Sequence, residues 1–384
     1  MFMMIFVNDL AGAPTEIVPA WMRHFHGKSG MTFVDLVFPA FLFIVGISIP
    51  FAITARLTRG DTVAKILLHV IQRTLALLLI GILMVNETPD SAAMGWSGPL
   101  WATLLYAFAI LAFCVLPVPY QKVSTTLRVV GFIGLAFLAF SFRGEHGEAI
   151  ITLTPFSIRT QWYGILGLIG WAYLVASIVF LCFRDNRTAL LACAALLMCL
   201  YPADRAGMFA NFWPAKFVGF GATLGSQASI TVAGVLLGAM LMSPEFSSPR
   251  PRFNFVLFFV SGFSAAALLV HPLYGIYKNS ATPSWCFWSC AITAALWLLF
   301  YSICDVRPLP RISKPLVLAG QNVLLAYLLS EMLPSLLVIL HLDHFYGRIS
   351  ATNLAFAIAR SALCGVLILS ISVWLNRLGF RLKL

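Results

Sequence analysis

Long apolar runs separated by short polar stretches dominate the chain, and their length predicts helices that cross a membrane. The runs fall at 33–55, 66–85, 99–118, 126–142, 162–183, 188–202, 227–243, 253–272, 284–304, 315–339 and 351–375, after a shorter apolar start at 1–8. A helix needs about 20 apolar residues to cross a hydrocarbon layer roughly 30 Å thick. Barrel strands would alternate apolar and polar positions over about 10 residues, and these runs do not. The expected fold is therefore all-α. It is a polytopic transmembrane bundle of about 11 full spans plus a partial first helix, forming one domain over 1–384. The opening MFMMIFVN is about half a span and lacks a small-residue cleavage site, so it reads as the end of a first helix that begins upstream rather than as a secretory leader.

Composition agrees with a bilayer as solvent. The chain is 60% hydrophobic and only 10% charged, with a mean hydropathy of +0.92, whereas a soluble domain carries about 25% charged residues. The net charge of +11 does not indicate nucleic acid, because Lys and Arg are scattered through short loops rather than gathered on a domain. Their distribution sets an orientation instead. One set of alternate loops plus the C-terminus holds fifteen basic residues, Arg307 among them, against four acids, Asp61, Asp185, Glu245 and Asp305. The other set holds eight basic residues and eight acids. The positive-inside rule makes the first set and the C-terminus cytoplasmic, and puts the 9–32 loop on the far side. The chain is thus expected to cross its membrane many times, with 9–32 facing away from the cytoplasm. Trp21, Trp96, Trp101, Trp162, Tyr163, Trp213, Trp285 and Trp288 gather toward that side and read first as interfacial anchors. The eight cysteines all lie in apolar segments without a C-x-x-C pair, so they read as small core residues, and no metal site is expected.

Ionisable residues inside spans are costly and are candidates for function. They are Asp35, His69, Arg73, His271, Glu331 and Arg360. His69, Gln72 and Arg73 stand at i, i+3 and i+4 and so share one helix face, expected to look into the bundle. Arg73 sits about eight residues, roughly 12 Å, from the cytoplasmic helix end. It could meet an anionic ligand or pair with Glu331 or Asp35. These groups run from the inner third to the outer mouth and suggest a polar path. His24 lies in the outer loop just before Asp35, and an imidazole can act as base, acid or nucleophile. Asp35 could fix its tautomer as a carboxylate does in a triad, or cap the helix that starts beside it.

The segment HFHGKSGMTFVDLVFPAFLFIVGISIPFA, 24–52, resembles the signature of the heparan-α-glucosaminide N-acetyltransferase family and its bacterial relatives. There a histidine precedes a helix start of the form G-x-T-x-x-D-L-V-F-P-x-F-L-F-I-x-G, matched by Gly30, Thr32, Asp35, Pro39 and Gly46 among others. IFVND at 5–9 is similar to the end of that family's first core helix. LGSQASITVAGVLLGAML at 224–241, KNSATPSW at 278–285 and AGQNVLLAYLLSEML at 319–333 resemble later segments. The resemblance implies a membrane acetyltransferase that takes acetyl-CoA from the cytoplasm and acetylates a glucosamine amine on the far side. It places the active histidine on His24, with His26 as the alternative, and the partner asparagine on Asn8, with Asp35 beside them. Arg73, His69, Gln72, Glu331, Asn322 and Arg360 are the expected substrate- or acetyl-CoA-binding residues. The family's usual L-D-x-x-R-G start of the first core helix is absent, which fits a start upstream. Expected partners are acetyl-CoA, an amino sugar or glycan acceptor and the lipid bilayer, and exposed apolar helix faces allow a homodimer. A polar path equally suits a carrier, so an N-acetylglucosamine or related sugar permease, or a protein associated with one, is the competing expectation.

Overall fold

A computed structural model describes residues 1–184, 186–306 and 309–384, leaving aside the Ile312 side chain. Asp185 and Arg307, counted above among the loop charges, lie outside the described residues. The longer helices in chain order are α1 (Phe2–Leu10), α2 (Phe33–Thr58), α3 (Val63–Val85), α4 (Gly98–Ala112), α5 (Gln121–Ser141), α6 (Gly164–Phe183), α7 (Arg187–Arg205), α8 (Ala228–Leu241), α9 (Pro249–Tyr274), α10 (Pro283–Tyr301), α11 (Pro310–Ala319), α12 (Val323–Ile339), α13 (Asp343–Thr352) and α14 (Leu354–Arg377).

Among the described residues nine helices are long and apolar enough to cross a membrane, and a bent pair makes a tenth if it is one span. The all-α, multi-pass membrane fold expected from the pattern is the fold observed. Two runs depart from a straight span. The 99–118 run yields the 15-residue α4, because Leu116–Pro119 carries two prolines that cannot continue a helix. The 315–339 run bends by 73° between α11 and α12, where Gly320, Gln321 and Asn322 interrupt the apolar sequence.

The chain divides into two compact units. The first comprises Met1–Arg23, Leu79–Gly164 and Arg311–Leu384, and the second comprises His24–Leu78 and Ile165–Pro310. The second unit is built on α2 and α8, whose backbones touch. A Cβ on Gly46 would lie 2.0 Å from the Thr231 carbonyl oxygen, and one on Gly234 would lie 2.1 Å from that of Phe43. Lipid gives little hydrophobic drive between helices, so close approach through small residues supplies the packing. Phe43, Leu42, Val232 and Trp285 are buried around this contact. In the first unit α1 packs along α14, and Ile5, Ala326, Cys364 and Ile368 form the buried cluster there. A short antiparallel pairing of Cys114–Val115 with Arg381–Leu382 ties down the C-terminal end.

Three of the aromatic residues expected to be anchors, Trp101, Trp285 and Tyr163, are buried. Trp101 and Trp285 are fully buried, and the Trp101 indole donates to the Leu138 carbonyl at 3.1 Å. Trp21, Trp162 and Trp213 are exposed, as anchors would be. The cysteines also divide. Cys114, Cys286, Cys290 and Cys364 are buried, while Cys182 and Cys199 are exposed on apolar helices whose outward faces the sequence pattern alone does not distinguish.

Candidate functional site

In the second unit, two loops are stitched together in front of α2. The Gly30 N–H donates to the Ile276 carbonyl at 3.1 Å, and the Ile276 N–H donates to Ser29 Oγ at 3.0 Å. The HGKSG loop wraps the Phe25 ring closely. A Cβ on Gly27 would come within 2.5 Å of that ring, and Gly30 has φ +158°, a backbone conformation that favours glycine. On the facing loop, Thr282 Oγ1 accepts from the Tyr277 N–H and donates to the Gly275 carbonyl, both at 3.0 Å, just before α10 begins. This fixes Lys278 opposite His24.

Asp35, 2% exposed, lies at the centre. Its two oxygens do two jobs. Oδ1 lies 2.8 Å from His24 Nδ1. Oδ2 accepts from the backbone N–H of Thr32 at 3.1 Å and of Phe25 at 3.0 Å. The capping and imidazole-orienting roles that the sequence left as alternatives therefore coexist, and Thr32 and Asp35 form the capping box that starts α2. Of the two histidines, His24 is the one bonded to Asp35, and His26 lines the same cavity. That cavity, about 400 Å³, is walled by His24, Asp35, Tyr277, Lys278 and Asn279.

Lys278 was not singled out from the sequence. Its Nζ lies 3.1 Å from His24 Nδ1 and 3.7 Å from Asp35 Oδ1. Burial pulls its ammonium below the ordinary lysine range, with the Asp35 charge opposing that shift. One ring nitrogen cannot hydrogen-bond to both neighbours in the same tautomer. With a proton on Nδ1 it donates to Asp35 and leaves Nε2 as a free base. Without one it accepts from Lys278, and Nε2 carries the hydrogen. The buried carboxylate, already holding two backbone donors, favours the first state, and Lys278 then neutralises it from the side.

The first unit holds a second polar centre. Asn8 Nδ2 donates to Glu331 Oε1 at 2.8 Å. Next to it, Arg360 has all five of its N–H groups engaged. Nε and Nη2 reach Asp9 Oδ2 at 3.1 and 3.0 Å, Nη2 also reaches the Asp9 carbonyl at 2.8 Å, and Nη1 donates to Ser350 Oγ at 2.7 Å and to the Tyr346 carbonyl at 3.2 Å. Tyr346 Oη and Ser361 Oγ donate to Asp9 at 2.7 and 2.6 Å. Arg360 thus acts as a clamp between α1, α13 and α14. Asp9 and Tyr346, also missed in the sequence, complete it.

The remaining expected residues fall elsewhere. Asn322 holds the C-terminal tail, donating to the Phe380 carbonyl at 3.1 Å and accepting from the Leu382 N–H at 3.3 Å. Gln72 and Arg73 are exposed rather than turned into the bundle, and His69 is half-buried. The stripe of α3 that packs is Ile66, Val70, Thr74 and Leu77, with Thr74 Oγ1 reaching the Gly170 carbonyl. The Arg73 guanidinium lies 4.9 Å over the Tyr173 ring. The structure brings His24 and Asp35 together in the second unit, and Asn8, Glu331 and Arg360 together in the first.

Comparison with known proteins places the chain among relatives. The family model described as "Domain of unknown function (DUF5009)" matches residues 3–211. The heparan-alpha-glucosaminide N-acetyltransferases of Mus musculus and Homo sapiens are each 33% identical over 96 residues. That stretch is 25% of this chain and 14% of the length of either relative.

Proposed function

The chain belongs to the DUF5009 family, and we propose that it is a membrane-embedded acyltransferase. It moves an acetyl group from cytoplasmic acetyl-CoA to the amine of an amino sugar or glycan on the periplasmic side of a bacterial inner membrane. The distant likeness to membrane N-acetyltransferases supports the reaction class. The single observation that carries the reading is His24 Nδ1 held 2.8 Å from the buried Asp35 carboxylate at the wall of a 400 Å³ cavity.

In this reading the amine nitrogen attacks the thioester carbonyl carbon. The C–N bond forms, the C–S bond breaks, and His24 Nε2 accepts the proton the amine sheds and passes it to the departing thiolate. Asp35 keeps the proton on Nδ1 and stabilises the imidazolium while it exists. The Lys278 ammonium lies where negative charge on the carbonyl oxygen or the thiolate would be favoured. Asn8, expected as the partner asparagine, donates one of its amide hydrogens to Glu331, and its part in transfer rests on the family resemblance alone.

The test is direct. The full chain in proteoliposomes, given radiolabelled acetyl-CoA and glucosamine, should form labelled N-acetylglucosamine. Vesicle uptake of labelled sugar without acetyl-CoA, and with no acetylated product, would favour the permease and overturn the proposal.

A further inference from the structure

The segment between α5 and α6 contains a two-faced hairpin that the chemistry at His24 does not use. Strands Ile151–Leu153 and Phe156–Ile158 pair antiparallel, with Ile151 opposite Ile158, Thr152 opposite Ser157 and Leu153 opposite Phe156. Residues directly opposite share a face, as do alternate residues along one strand. Ile151, Leu153, Phe156 and Ile158 therefore make an apolar face, and Thr152 and Ser157 a polar one. Leu153, Phe156 and Ile158 are 69%, 70% and 46% exposed. A lone two-stranded hairpin is marginally stable in water, so an apolar face this open calls for a surface to lie on.

Hydrogen bonds within the first unit set the height of the hairpin. Asn86 directly follows α3, and its Nδ2 donates to the Arg159 carbonyl at 3.1 Å while its Oδ1 accepts from Gln161 Nε2 at 2.8 Å. The Arg143 carbonyl, two residues past α5, accepts from the Asp90 N–H at 2.9 Å. The base of the hairpin is thus tied to the level where α3 and α5, both long and apolar enough to span, come to an end. A three-residue strand rises about 10 Å at most, and the headgroup layer outside the hydrocarbon is about 5–7 Å thick on each side. Glu148 and Arg159, 3.5 Å apart, place charge at the base. The open strand edges keep the hairpin out of the hydrocarbon, where unpaired backbone groups are not tolerated. Trp162, 53% exposed, comes next in the chain, and indoles favour the same layer.

We propose that this hairpin lies flat on the bilayer surface. Leu153, Phe156 and Ile158 enter the boundary between headgroups and acyl chains, and Thr152 and Ser157 face water. The partner is the lipid surface that already surrounds the ends of α3 and α5. The proposal rests on the multi-pass fold and not on acyl transfer, so either can fail without the other.

The experiment places a solvatochromic fluorescent amino acid at Phe156 in one variant of the full chain and at Ser157 in another, each in nanodiscs holding a single copy. Both positions are exposed, so the core is not disturbed, and gel filtration checks this. The quenchers are aqueous iodide and lipids spin-labelled either near the headgroup or near the acyl-chain end. The probe at 156 should emit to the blue of the probe at 157, resist iodide several-fold better, and be quenched most by the shallow label. Equal iodide quenching at the two positions would leave the apolar face in water. Protection from iodide with no quenching by either lipid would put protein over it, and strongest quenching by the deep label would put it in hydrocarbon. Each of these three results overturns the proposal.

Discussion

His24→Ala is expected to lower acetyl transfer by about 100- to 10,000-fold, the range for loss of a general base, with the protein still folded. The His24 side chain is 43% exposed, and without it Asp35 keeps Thr32, Phe25 and Lys278 as partners. Asp35→Asn separates orientation from bulk. An amide in place of the carboxylate can still accept from the Thr32 N–H, so α2 keeps its start. It also offers a hydrogen to Nδ1, which moves the ring proton to Nε2 and removes the base, as in a triad. Initial rates should therefore fall about as far as for His24→Ala, while gel filtration and thermal melting in detergent stay close to wild type. Transfer within a few-fold of wild type for His24→Ala would remove the ring from the chemistry.

The second large effect concerns stability. Arg360→Met should destabilise the first unit by about 3–5 kcal/mol, because it leaves the Asp9 carboxylate, only 11% exposed, without its countercharge. Asp9 is held by the guanidinium and by Tyr346 and Ser361, and none of these hydroxyls can neutralise it. Combining Arg360→Met with Asp9→Asn should recover much of the loss, since a neutral pair needs no compensation. Thermal melting of the single and double variants checks this. A single variant as stable as wild type would mean that water reaches the pair.

The spans were legible because lipid leaves little choice: a backbone in hydrocarbon must satisfy its own hydrogen bonds, and long uniform apolar runs can do so only as helices. The breaks were less legible. Gly320-Gln321-Asn322 is a mild interruption in sequence, and the 73° bend follows from what those residues hold, with Asn322 bonded to the tail 58 and 60 residues away. His24 and Asp35 could be paired by eye, since they are 11 residues apart with the aspartate in a helix's first turn. Lys278 could not, being 254 residues from His24 and brought there by the tie between two loops. Asp9 was hidden for the same reason, its partner Arg360 lying 351 residues on. The burial of Trp101 and the exposure of Arg73 depend on which helix face finds a neighbour, and uniformly apolar helices carry little of that information.

The account turns on one imidazole: the proton of His24 rests on the nitrogen facing Asp35, and the other nitrogen opens on the cavity as a base. Nitrogen NMR of the full chain carrying isotope-labelled histidine, with His24→Gln to identify the signal, reads this directly. A neutral ring with protonated Nδ1 and bare Nε2 is the predicted result. A neutral ring protonated on Nε2, with Nδ1 accepting from Lys278, would contradict it.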